Sequence, residues 1–226
     1  MKLGVLFSGG KDSTLALLKA MKIEEVVCLI TIISENRESY MFHTPNVGLT
    51  KLQARAMDLP LIRRFTQGKK EEELEDLKQA IRQARKEFRI EGVVTGAVES
   101  TYQASRVQRI CFQLGLWCFN PLWKMDQREL LNEIVERGFE VIIVGVFAYP
   151  LDKSWLGKKI DAALTRRLVA LQEEYGISPS GEGGEIETMV LDAPVFKKKI
   201  SVTHSSIEDD GTSAVFNVSK ARLAEK

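Results

Sequence analysis

Short β-branched apolar runs at 3–7, 26–33, 61–65, 92–95 and 140–147 alternate with stretches patterned as helices at 13–22, 47–57, 70–88, 101–115 and 126–137. A run that is apolar at consecutive positions has no polar face to turn to water, so it reads as a strand buried on both sides. Buried strands separated by helices are satisfied by a parallel sheet with right-handed crossovers and helices on both faces. The expected fold class is therefore α/β. Within 70–88, Leu74, Leu77, Ile81, Ala84 and Phe88 recur at helical intervals, which makes "KKEEELED" (69–76) a solvated helix face rather than an interaction tail. After about residue 148 the pattern changes. Segment 158–175 reads as one more amphipathic helix, with Ile160, Leu164, Leu168, Leu171 and Tyr175 on its stripe. Strand-like segments follow at 186–191, 199–207 and 213–218, with "EDDGT" (208–212) as a hairpin turn and Lys220–Lys226 as a short helix or frayed end. The boundaries predicted are a first domain at 1–148 and a smaller α+β part at 149–226.

Composition narrows the function classes. The 226 residues carry 32 basic and 31 acidic side chains, so there is no basic excess of the kind that drives non-specific nucleic-acid binding. The opening apolar run is too short for a signal peptide, and no stretch approaches the roughly 20 apolar residues that cross a bilayer. Cys28, Cys111 and Cys118 lack paired spacing and fit reduced thiols, so a cytoplasmic location without membrane contact is expected. All three read as core residues, Cys111 on a stripe with Val107, Ile110 and Leu114. His43 and His204 are too far apart, and too few, to suggest a zinc set. Trp117, Phe119 and Trp123 read as core and loop packing.

The first strand runs into "FSGGKDST" (7–14) and then a helix. Gly9 and Gly10 allow a sharp turn and leave backbone N–H groups unscreened. The helix presents its positive end there, Lys11 adds a full charge, and the Ser8 and Ser13 hydroxyls add donors. Residue types alone leave two readings: a cradle for polyanionic phosphate, or a glycine-rich turn with a helix cap. Neither the Walker pattern nor GxGxxG is present. The stretch resembles the PP-loop, SGGxDS, of the N-type ATP pyrophosphatases. That resemblance implies a Rossmann-like (HUP-type) fold that binds ATP through Ser8, Gly9, Gly10, Lys11, Asp12 and Ser13 and cuts it between the α and β phosphates. It also implies Lys11 as a catalytic cation and Asp12 as a holder of Mg²⁺.

A second signal is "GEGGEIETMVLDAPVF" (181–196). Gly181, Gly183 and Gly184 make a loop that lets backbone approach a ligand closely, and Glu182, Glu185 and Glu187 place three carboxylates within six residues. Glu185 and Glu187, two apart on a strand-like run, are expected to face the same way. Such a cluster needs a cation or a proton; an exposed acidic turn is the other reading. Together with "SGGKDS", "MFHTPN" (41–46), "GAVESTYQASRVQRIC" (96–111), "LGLWCFNPLW" (114–123) and "LDKSWLGKKID" (151–161), the stretch resembles the diphthine–ammonia ligase family over nearly the whole chain.

The resemblance implies amidation of the carboxylate of diphthine, a modified histidine on translation elongation factor two. ATP would activate the carboxylate as an acyl adenylate and ammonium would supply the nitrogen. Larger relatives carry further C-terminal domains, so ammonium is expected from solution. Glu185 and Glu187 are expected to be catalytic, binding the ammonium or the substrate's trimethylammonium and taking a proton. His43, in a family-like loop, is expected to contact the nucleotide or the acceptor, and Gly96, ending a strand, either borders the nucleotide or is a plain turn. Tyr102, Arg106, Arg109 and Gln113 share a helix face, where arginines either grip an anion or meet solvent. The family pattern implies Tyr102, Gln103 and Arg106, with Gly181, Glu182, Gly183, Gly184 and Thr188, as the substrate-binding set. Ser100 and Gln103 also fit a capping box. A homodimer is compatible with the sequence. The alternatives are a PP-loop enzyme acting on tRNA, which would want a basic stripe or catalytic cysteines, and a non-catalytic ATP-binding sensor.

Overall fold

A computed structural model of the chain describes residues 1–36, 45–69 and 71–226. The alternation resolves into β1 (Lys2–Leu6), α1 (Lys11–Ala20), β2 (Glu25–Ser34), α2 (Thr50–Met57), β3 (Leu61–Thr66), α3 (Glu73–Phe88), β4 (Gly92–Val94), α4 (Thr101–Gln113) and β5 (Trp117–Phe119). These five strands form one sheet in the order β3-β2-β1-β4-β5, every pair parallel. Alternation along a buried strand decides which layer covers each side. Cys28, Ile30 and Ile32 of β2 pack with Leu77 and Ile81 of α3 and Val107 and Ile110 of α4, whereas Leu29 joins Leu15 and Leu17 of α1 on the other face. The Rossmann-like expectation holds. β5 went unpredicted, because Trp-Cys-Phe is not the β-branched run that marked the other strands, and Trp117 within it is 67% exposed rather than core.

The chain continues through α5 (Gln127–Glu136), β6 (Glu140–Val146), α6 (Ala162–Tyr175), β7 (Ile186–Asp192), β8 (Lys199–Asp209) and β9 (Ala214–Ala224). β6 does not join the parallel sheet in which the alternation placed 140–147. It pairs antiparallel with β7 and β9 in a second sheet ordered β7-β6-β9-β8. A strand buried on both faces looks alike in sequence whichever sheet takes it, so the apolar run could not choose between them. The expected hairpin is present: Asp210 turns it by accepting from Thr212 N at 2.9 Å and Ser213 N at 2.7 Å. Residues 220–224 are strand, not helix or frayed end, because β9 pairs with β8 up to Ala224↔Lys199.

Both sheets share one core, in which Val5, Val94 and Leu122 meet Ile143, Val144 and Met189. Backbone bonds also cross between them, from Val190 N to Gly9 O at 3.0 Å and from Lys197 N to Ala56 O at 2.6 Å. Cys28 and Cys111 are buried and Cys118 is half-buried, all as free thiols. Burial pushes the Cys28 thiol up to about 12, which keeps it protonated and inert. Among the described residues no helix is long and apolar enough to cross a membrane.

Candidate active site

The chain leaves β1 toward β2 on one side of it and returns to β4 on the other. The loops after β1 and β4 therefore diverge, and such a switch point is where open parallel sheets bind ligands. The Ser8–Ser13 corner follows β1 and Gly96 follows β4, so the two predicted features meet there. A Cβ on Gly96 would come within 2.8 Å of Ser13 N, so only glycine lets the β4 loop lie against the first turn of α1. Gly9 has φ +84, a conformation that side chains strain to adopt, and a Cβ there would collide with the amide of Gln53.

The corner is partly self-supporting. Ser8 N donates to Ser13 Oγ at 3.3 Å, and the Ser8 and Ser13 hydroxyls lie 3.2 Å apart. Thr14 Oγ1 donates to Gly10 O at 2.8 Å. The helix then begins behind Gly10, which supplies no side-chain cap, so its positive end faces acceptors from elsewhere. Four further bonds fasten β7 across the corner. Val190 N reaches Gly9 O, and Lys11 N donates to Thr188 Oγ1 at 3.2 Å. The buried Gln53 donates to both Gly9 O and Val190 O at 2.9 Å. Thr188, expected at the substrate, thus holds the corner itself. Sequence reading missed Gln53; its signal was a lone amide among the apolar positions of α2.

Charge gathers at this junction. Lys11 is only 2% exposed and its Nζ lies 2.8 Å from Asp12 Oδ2. Glu187 faces the pair from β7, and its carboxyl is raised to about 8: burial raises it most, Lys11 opposes and Asp12 adds. Glu182 is raised as well, first by burial and then by Asp12, while Lys11 and the N–H of Glu99 pull it back. Lys11, Asp12, Glu182 and Glu187 therefore form one electrostatic unit. Glu185 and Glu187 meet different partners: Glu187 faces Lys11 and Asp12, whereas Glu185, the residue before β7, does not join that unit. Glu185 accepts instead from Ser178 N at 2.9 Å, beside Gly183. Gly181 and Gly184 turn the loop between Ser180 and Glu185.

Tyr102 and Arg106 lie on α4 with the guanidinium 3.4 Å from the ring centroid, and Arg106 Nε donates to Glu71 Oε1 at 3.0 Å. The structure turns this pair toward Glu71. Gln103 N donates to Ser100 Oγ at 3.3 Å, the first half of the expected capping box. His43 lies outside the described residues. His204 is exposed on β8, at the edge of the second sheet.

The corner suits a nucleotide's phosphates: backbone cradle, helix start and buried lysine converge. Asp12 Oδ1 is buried without a hydrogen-bond partner among the described residues. Magnesium is commonly held by one or two carboxylates together with phosphate oxygens, so this oxygen fits that ion. Among the described residues no set of three or more His, Cys, Asp or Glu forms an all-protein metal cage.

Residues 1–118 match the diphthamide synthase N-terminal domain and residues 126–224 its C-terminal domain. Curated relatives named diphthine–ammonia ligase come from Bos taurus, 34% identical over 100% of this chain and 91% of the relative, and Danio rerio, 37% identical over 93% and 90%. One from Schizosaccharomyces pombe is 35% identical over 95% of this chain and spans far beyond it, the match covering 38% of that relative. Among solved structures, a Methanocaldococcus jannaschii protein titled a predicted subunit of tRNA methyltransferase is 20% identical over 86% of this chain and 98% of that one, with a TM-score of 0.46.

Proposed function

Because the chain belongs to the diphthamide synthase family, we propose that it is an ATP-dependent ligase that amidates the carboxylate of diphthine on translation elongation factor two with ammonium. One observation carries this reading at the level of chemistry: the bonds from β7 to the corner set Glu187 against Lys11 and Asp12. A phosphate-binding corner and an acidic, cation-seeking surface then share one site.

In this reading a diphthine carboxylate oxygen attacks the α-phosphorus of ATP and the bond to pyrophosphate breaks, leaving an acyl adenylate. The corner's backbone and Lys11 hold the leaving pyrophosphate, stabilising charge where it develops. Asp12 Oδ1 would hold magnesium, which when bound supplies further neutralisation of the phosphates. Ammonia then attacks the acyl carbon and AMP departs with the bridging oxygen. Ammonium must first lose a proton, and Glu187, once the cation beside it favours the carboxylate form, is placed to receive it. Glu182, and Glu187 once an arriving cation favours its ionised form, give the substrate's cationic group its counter-charge.

The test is stoichiometry. The whole protein, incubated with ATP, ammonium and diphthine-bearing factor, should release AMP and pyrophosphate one for one with the amide formed. Release of ADP, or AMP release indifferent to the factor, would count against the proposal.

A further inference from the structure

Resting on that reading, we propose that Gln127 is a positioning residue: its side-chain amide fixes the 178–185 loop against the start of α4 and so sets Glu182 and Glu185 in the site's acceptor half. Gln127 opens α5 and stands on a firm base. Asp126 caps the helix by accepting from Arg128 N and Glu129 N at 2.9 and 3.0 Å, while Leu130, Leu131 and Ile134 bury its inner face.

From that base one amide reaches two elements. Gln127 Oε1 accepts from Ser178 Oγ at 2.8 Å, Ser180 N at 3.2 Å and Ser180 Oγ at 2.7 Å. Its Nε2 donates to Glu99 Oε2 at 3.3 Å. Two of these partners then hold the acids: Ser178 N donates to Glu185 Oε1 at 2.9 Å, and Glu99 N to Glu182 Oε2 at 3.0 Å. Gln127 is thus one residue removed from both carboxylates. Glu99, Gln127, Ser178, Glu182 and Glu185 help wall a cavity of about 450 Å³. The link requires a group that accepts from hydroxyls and donates to a carboxylate at once, which a neutral amide does and a carboxylate does not.

The exchange of partners tests it. Gln127→Glu keeps the shape and the acceptors but loses the donor and sets a second carboxylate beside Glu99. Adding Glu99→Gln returns a donor to the other side of the same bond. Hydrogen exchange in the whole protein should rise across 178–185 and at Glu99 in Gln127→Glu, stay unchanged across 9–14, and return in the double variant. In amidation assays Gln127→Glu should raise the acceptor KM about tenfold, the scale of one lost charged hydrogen bond, with the ATP KM unchanged. The double variant should recover most of that loss. Unaltered exchange across 178–185 in Gln127→Glu would overturn the inference, as would a double variant that recovers neither exchange nor KM. Absence of amidation by the unsubstituted protein would sink the functional reading instead, and exchange alone would then decide the role of Gln127.

Discussion

The corner after β1 and the loop before β7 face one another, yet they are built in opposite ways. The corner gets much of its shape from neighbours in sequence: Gly9 turns it, Ser8 and Ser13 bond each other, and Thr14 bonds back to Gly10. The acid loop gets its shape from a distance, through Gln127 and through Glu99, which lies 83 residues from Glu182. The difference teaches that a glycine-rich corner can be written into one short motif, whereas the acid loop takes shape only once α5 and the loop before α4 meet it.

The largest effect expected from breaking this pairing is chemical. Lys11→Met removes the buried cation from the corner with little change of shape, and AMP formation should fall by about 10²–10³, the usual scale for losing one charge-stabilising donor. Single-turnover assays check it, and a fall of less than tenfold would place the cation elsewhere.

Next comes the electrostatic link between the regions. In the folded, nucleotide-free chain Glu187 keeps its proton up to about pH 8, against an ordinary value of 4.5. A folded-state pKa above the unfolded one gives stability that is complete below about 4.5 and is lost as pH rises through about 8. Denaturation of metal-free protein should therefore show stability declining across that window, and Glu187→Gln should flatten the decline. Parallel curves for the two proteins would show that Glu187 does not sense this environment.

Gln53→Ala removes the buried amide that bonds both halves. Loss of about 2 kcal/mol is expected from two abandoned carbonyls, readable as a lower urea midpoint. Smallest is Thr188→Val, which removes one bond to Lys11 N and should lower stability by about 1 kcal/mol, while weakening nucleotide binding in calorimetry. A larger loss from Thr188→Val than from Gln53→Ala would reverse the order of supports drawn here.

The same contrast explains what the sequence made legible. The α/β class, the glycine corner after β1 and the C-terminal hairpin rest on local signals, namely apolar runs, glycine spacing and a turn. The sheet joined by β6 does not, because Glu140–Val146 is apolar enough for either sheet and only its pairing with Ile186–Asp192 settles the matter. Glu185 and Glu187, expected to act as a pair, meet different partners, Ser178 for one and the Lys11–Asp12 pair for the other, which residue type and spacing do not reveal. Gln53 and Gln127 were invisible for a plainer reason: an amide becomes a clamp only through partners up to 137 residues away.

Fate of the oxygen atoms gives the most direct test that both regions act on one reaction. Diphthine labelled with ¹⁸O in its carboxylate would be turned over with ATP, ammonium and the unsubstituted protein. Attack at the α-phosphorus followed by ammonia at the acyl carbon predicts one labelled oxygen in the phosphate of AMP and none in pyrophosphate. Label recovered in inorganic phosphate alongside ADP, or AMP free of label, would contradict the account.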